Sequence, residues 1–216
     1  MLRRIPHLLL LAACGVGLAP SPAVALPVIS EVFYDAVGSD DGRGFVELYG
    51  TPGTLLDGLR LEGVNGSGGA IGPALTLSGA IPADGFFVVA DDQAGGPTLV
   101  ANADLVLSFD FQNGPDSIVL RSGDTVLDAV GYGVFGAGDV FAGEGSPAPG
   151  APAGASLARI VADLDTGDNA VDFAVLATPT PGAGDLASVP EPGTALLMGF
   201  GLAGLGASGR RAQARA

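Results

Sequence analysis

The chain has no lysine and no tryptophan, and its single cysteine and single histidine both fall in an apolar leader, at Cys14 and His7. Residues 26–187 therefore contain neither thiol nor imidazole. Disulfides are excluded there even in an oxidising compartment, so the fold must rest on its core. Thiolate or imidazole zinc sites, Ser-His-Asp triads and Cys-His dyads are excluded as well, which is the main sequence argument against an enzyme. Basic charge is equally scarce. Arg43, Arg60, Arg121 and Arg159 face 22 of the chain's 23 acidic residues, a formal charge of −18 over residues 26–187. A field of that sign repels nucleic acid and anionic membrane surfaces and leaves cations or a basic partner as compatible ligands. It also favours solubility.

Both ends are apolar. Arg3-Arg4 precede Leu8-Leu9-Leu10-Leu11-Ala12-Ala13, and Ala23-Val24-Ala25 offers a small-x-small cleavage site before Leu26, so residues 1–25 read as a secretory signal peptide. Leu11-Ala12-Ala13-Cys14 also fits a lipoprotein signal in which Cys14 is lipidated. The other reading makes Cys14 a small apolar member of a discarded leader.

At the far end, Ser188-Val189-Pro190-Glu191-Pro192-Gly193 precedes an apolar run from Thr194 to Ala207 and then Arg210-Arg211. Pro190 and Pro192 lack amide donors and bias their predecessors to extended geometry, so a short apolar helix can start only after them. Crossing a hydrocarbon core takes roughly 20 predominantly apolar residues, and this glycine-thinned run is shorter. Arg210, Arg211 and Arg215 would stay cytoplasmic by the positive-inside rule, leaving the rest of the chain outside. A Pro-Glu-Pro signature, a marginal apolar segment and a terminal basic cluster over residues 188–213 resemble the PEP-CTERM sorting signal. The resemblance implies transient inner-membrane association, an exosortase as partner, and a cargo delivered to the cell surface or medium.

The cargo, residues 26–185, reads as short strands. Val28–Tyr34, Phe45–Tyr49, Leu55–Leu61, Ala74–Leu77, Phe86–Ala90, Leu105–Phe109, Ser117–Arg121 and Thr125–Val130 are rich in β-branched, aromatic and leucine residues. Turn pairs such as Asp41-Gly42, Asp57-Gly58, Asp84-Gly85 and Asn113-Gly114 punctuate them. With no long helical stripe, this pattern predicts an all-β, antiparallel β-sandwich. Val28-Ile29-Ser30-Glu31-Val32, Phe45-Val46-Glu47-Leu48-Tyr49, Leu55–Leu61, the Ile81–Val89 stretch, Gln112–Leu120, Thr125–Tyr132, Ser156–Arg159, Asp163–Phe173 and Thr178–Gly182 together resemble the lamin tail domain in order and spacing. The resemblance implies an immunoglobulin-like sandwich. A Gly/Ala/Pro-rich stretch between Gly133 and Ala155 predicts an exposed loop that Phe135 and Phe141 pin to the domain.

Asp163-Leu164-Asp165-Thr166-Gly167-Asp168-Asn169, with Asp172 behind it, alternates hard oxygen ligands like the start of a calcium loop. Calcium is the one candidate cofactor. The twelfth position, where a bidentate glutamate would sit, is Ala174, and an Asp/Asn turn that caps backbone amides explains the same residues. Glu31 and Glu47 fall on strands expected to be neighbours, and a carboxylate pair can carry glycoside hydrolysis. The simpler expectation is solvated strand residues or partners for an arginine. Arg159, beside the acidic stretch, is the expected structural ion-pair former. Asp40-Asp41-Gly42 and Asp91-Asp92 read as loop tips. The resulting expectation is an exported, sorted protein with a binding or structural role toward extracellular polysaccharide or surface proteins. A secreted hydrolase built on carboxylates, or a lipoprotein held through Cys14, are the alternatives.

Overall fold

A computed structural model describes residues 26–184. The expected signal peptide with Ala23, Ala25 and Cys14, and the sorting segment with Val189, Pro190, Glu191, Pro192, Arg210 and Arg211, lie outside the described residues. Among those described, no helix is long and apolar enough to cross a membrane.

Ten strands form two open sheets. In chain order they are β1 (Val28–Phe33), β2 (Phe45–Tyr49), β3 (Leu59–Asn65), β4 (Ile71–Thr76), β5 (Phe86–Asp91), β6 (Leu105–Leu107), β7 (Asp116–Ser122), β8 (Thr125–Tyr132), β9 (Ser156–Arg159) and β10 (Phe173–Leu176). One helical turn, α1 (Asn169–Asp172), precedes β10. The larger sheet runs β10-β9-β1-β2-β5-β6 and the smaller β4-β3-β7-β8.

Val46 and Leu48 of β2 and Phe87 and Val89 of β5 alternate at period two into the core. A register shift between Ile29 and Glu31 lets both Ile29 and Val32 of β1 join them, against Leu61, Ile118, Leu120 and Val130 of the smaller sheet. Tyr34 and Tyr132 stack in this layer with ring centroids 4.3 Å apart. Each is satisfied at its polar end: the Tyr132 hydroxyl donates to the Gln112 carbonyl, and the Ala151 amide donates to the Tyr34 hydroxyl. The expected all-β, two-sheet architecture is what the chain adopts.

Four features differ from the sequence expectation. The third strand starts at Leu59, not Leu55, because Gly58 takes a φ of +81° and turns the chain first; Leu55 makes only an isolated bridge to Ala80. β4 begins at Ile71, not Ala74, and runs through Gly72-Pro73; an edge strand tolerates a proline, and Pro73 falls where the register against β3 shifts. β6 pairs with β5 in parallel, so the sheets are not wholly antiparallel. The long connection over residues 92–104 makes that return possible. Finally, β9 and β10 form strands that extend the larger sheet at one edge.

The glycine-rich loop is pinned as its aromatics suggested. Phe135 and Phe141 meet edge to face at 5.1 Å. Phe141 covers Gly131 of β8, where any Cβ would collide with the ring.

Candidate functional site

Three groups of acidic side chains are candidates for chemistry, and each is built differently. The first surrounds Arg159. β9 delivers this side chain into the domain interior, where it is 1% exposed. Its Nη2 donates to both carboxylate oxygens of Asp128 on β8, at 3.1 and 3.0 Å, and its Nη1 donates to Asp172 Oδ2 at 3.2 Å. Nε donates to the Ile29 carbonyl and Nη1 also to that of Leu164. The guanidinium lies 4.6 Å from the centroid of the Phe173 ring. This one cation thus ties both sheets to the acidic loop, the geometry in which arginine's planar fork outperforms lysine. Sequence proximity pointed to Asp172; Asp128, the bidentate partner, is 31 residues away and carried no signal.

The residues expected to form a calcium loop do not converge on one point. Asp168 caps α1 by accepting from the Ala170 amide and accepts from Ser146 as well. Asn169 is fully buried, its Oδ1 accepting from the Gly131 and Glu144 amides while Nδ2 donates to the Ala129 carbonyl. Asp172 holds Arg159 and Thr166, Asp165 accepts from the Gly167 amide, and Asp163 lines a separate hollow beside Leu26 and Tyr49. What approaches instead is Asp128, Glu144 and Asp165, with one oxygen of each within 4.8 Å of the others. Arg159 already supplies positive charge there, 3.8 Å from Asp165. Glu144 has an Oε2 with no hydrogen-bond partner. Burial first, and then the charges of Asp128 and Asp165, push its carboxyl up to about 7. A protein stabilised by calcium would bind it with folding, so millimolar calcium would raise Tm. We expect no rise; an increase of several degrees, abolished by Asp165→Asn, would restore the calcium reading.

The second group lines an open hollow of ≈ 500 Å³ with Asp40, Asp41, Asp91, Asp92 and Asp110. Asp91 is not at a loop tip. It closes β5, is 6% exposed, and accepts from the amides of Gly42 at 2.8 Å and Phe109 at 2.9 Å, joining two loops.

The third group is Glu31 and Glu47. β1 and β2 place them directly opposite each other on the outer face of the larger sheet. Neither is solvated, being 2% and 1% exposed, and neither meets an arginine. Arg60 and Arg121 both pair with Glu62, each at 2.9 Å. The cover over Glu31 and Glu47 is the chain's own exit segment. The Thr180 amide and hydroxyl donate to Glu31 at 3.0 and 2.8 Å, and the Gly182 amide donates to Glu47 Oε2 at 2.7 Å. Ser156 and Ser30 hydroxyls complete the two carboxylates. Burial pushes Glu47 up to about 7; hydrogen bonds from Ser30 and Gly182 oppose this, and the charges of Glu31 and Asp84 add to it. The pair therefore holds peptide of its own chain.

A two-sheet, all-β domain whose buried carboxylates grip its own exit segment thus leads directly into the tail. Residues 188–211 of that tail match the family model of the PEP-CTERM protein-sorting motif. The motif implies export, cell-surface sorting and processing by an exosortase. No curated protein and no solved structure matches the chain.

Proposed function

We propose that the chain is a non-enzymatic surface or matrix protein: a lamin-tail-type, immunoglobulin-like sandwich exported with an amino-terminal signal peptide and processed by an exosortase at Val189–Pro192. The observation that carries this reading is the sorting-motif match immediately downstream of a folded, strongly acidic domain. Its role is adhesion or association with extracellular polysaccharide or surface proteins. Covering of the Glu31–Glu47 pair by Thr180 and Gly182 favours this reading over a carboxylate hydrolase, which needs its pair open to substrate and water. Pro190, Glu191 and Pro192 are acted upon and catalyse nothing.

The test expresses the full chain, unmodified and as Pro190→Ala/Glu191→Ala/Pro192→Ala, in an exosortase-bearing host. The unmodified chain should reach the surface or medium with a shortened carboxy terminus, while the triple variant stays membrane-associated and full length. Equal release and equal processing of the two would sink the sorting claim.

A further inference from the structure

The segment between β10 and the sorting motif is built as a strap. Its sequence, Thr178-Pro179-Thr180-Pro181-Gly182-Ala183-Gly184, alternates residues whose φ is fixed by a ring with donors that reach the sheet. Gly182 takes a φ of +78°, and a Cβ there would collide with Asn102. Asn102 in turn donates through Nδ2 to the Pro181 carbonyl at 2.8 Å, and the Ala183 amide closes a turn onto Thr180. Two adjacent buried carboxylates with no cation beside them are a costly arrangement unless donors compensate them. Among the described residues, those donors are Ser30, Ser156 and the strap itself. The glutamates therefore grip the strap, and the strap satisfies the glutamates.

Position gives this grip a consequence. Counting to Val189 itself, seven residues follow Gly182, the last one held by a carboxylate. At full extension they reach about 25 Å. A domain of this length is roughly 40 Å across for a radius of gyration of about 15 Å. With the strap docked, the domain stands within its own width of the motif that a membrane enzyme must enclose. With the strap released back to Leu176, thirteen residues up to and including Val189 are free and the reach is about 45 Å.

We propose that Glu31 and Glu47 are positioning residues for the sorting step: by clamping Thr180 and Gly182 they restrain the tether, and releasing the clamp speeds processing at the motif. The proposal rests on the sorting reading. Its partner is the processing enzyme, which gains room for an extended peptide when the domain can stand off.

The experiment compares four full-length chains in an exosortase-bearing host by pulse–chase: unmodified, Glu31→Gln/Glu47→Gln, Thr180→Val, and a chain with about six Gly/Ser residues inserted after Gly184. Thr180→Val removes a donor from the strap without touching the sheet, so it stays informative if the glutamate variant folds poorly. The insertion leaves the clamp intact and lengthens only the tether, so processing at the unmodified rate in that chain would show that reach does not limit the step and would overturn the proposal. In purified full chains, hydrogen exchange at Gly182 and Ala183 should rise about fivefold or more in the clamp variants, the effect of losing a hydrogen bond of ordinary strength, and stay unchanged in the insertion. Processing should accelerate in all three altered chains. Faster exchange with processing at the unmodified rate, or unaltered exchange in the clamp variants, overturns the proposal alone. An unmodified chain that is never processed overturns the sorting reading and this proposal with it.

Discussion

Arg159→Ala will destabilise the domain by about 3–5 kcal/mol, the cost of removing one partner from a buried ion pair. That is a large share of a total folding free energy of roughly 5–15 kcal/mol. The loss does not come chiefly from the missing attraction. It comes from what stays behind: Asp128 is fully buried, Asp172 is 4% exposed, and both would face the interior without their cation. Asp128 keeps the amides of Ile29 and Ala129 as donors, which is too little for a carboxylate removed from water. The carbonyls of Ile29 and Leu164 also lose their donor, and the ring of Phe173 loses the guanidinium beside it. Thermal unfolding should therefore drop by roughly 10 °C or more for a domain of this size. Arg159→Lys should rescue little, because an ammonium cannot fork onto Asp128 while donating to Asp172 and two carbonyls. A pair that is replaced whole behaves differently from a pair that is broken, so Arg159→Met with Asp128→Leu should be less damaging than Arg159→Ala alone. A Tm for Arg159→Ala within about 2 °C of the unmodified protein would refute the network's role.

Asn169→Ala carries the second large effect, about 3 kcal/mol, from three buried hydrogen bonds worth roughly 1 kcal/mol each. Its amide is the only side chain described that accepts from the Gly131 and Glu144 amides together and donates to the Ala129 carbonyl. It stitches β8 to the loop that follows Phe141. The fit is tight on the other side too, since Gly143 approaches so closely that a Cβ there would overlap Asn169 Oδ1. Asn169→Asp keeps both acceptor bonds but turns a carboxylate oxygen toward the Ala129 carbonyl, so the isosteric change should destabilise the domain as well. Chemical denaturation at neutral pH measures both variants. An Asp substitution as stable as Asn would mean that the bond to Ala129 contributes nothing.

Asn169 also shows where sequence reasoning reaches its limit. The alternation of Asp163, Asp165, Asp168, Asn169 and Asp172 is a strong local pattern, and it supports both a cation loop and a turn with capped amides. Distinguishing the two requires knowing which oxygens are already used, and the partners of Asn169 lie 25 to 40 residues away. The same holds for Glu31 and Glu47. Their placement on neighbouring strands was legible, because Val28–Phe33 and Phe45–Tyr49 are short runs rich in β-branched and aromatic residues separated by a glycine- and aspartate-rich connection. Their burial was not, because the cover comes from Thr180, 149 residues from Glu31. Strand boundaries failed for local reasons. Asp57-Gly58 was a turn inside an apolar run, and β4 starts three residues ahead of the apolar Ala74–Leu77 run, through Gly72-Pro73. Parallel pairing of β6 depends on how a connection wraps an edge, which composition does not encode.

The central claim concerns what happens to the tail, and the mass of the mature protein tests it most directly. The full chain is expressed in an exosortase-bearing host, recovered from the surface or medium, and its carboxy-terminal peptide is read by mass spectrometry. The account predicts an end within Ser188–Gly193 and no peptide from the Thr194–Ala207 run. Surface or extracellular protein that still ends in Ala216 would contradict it.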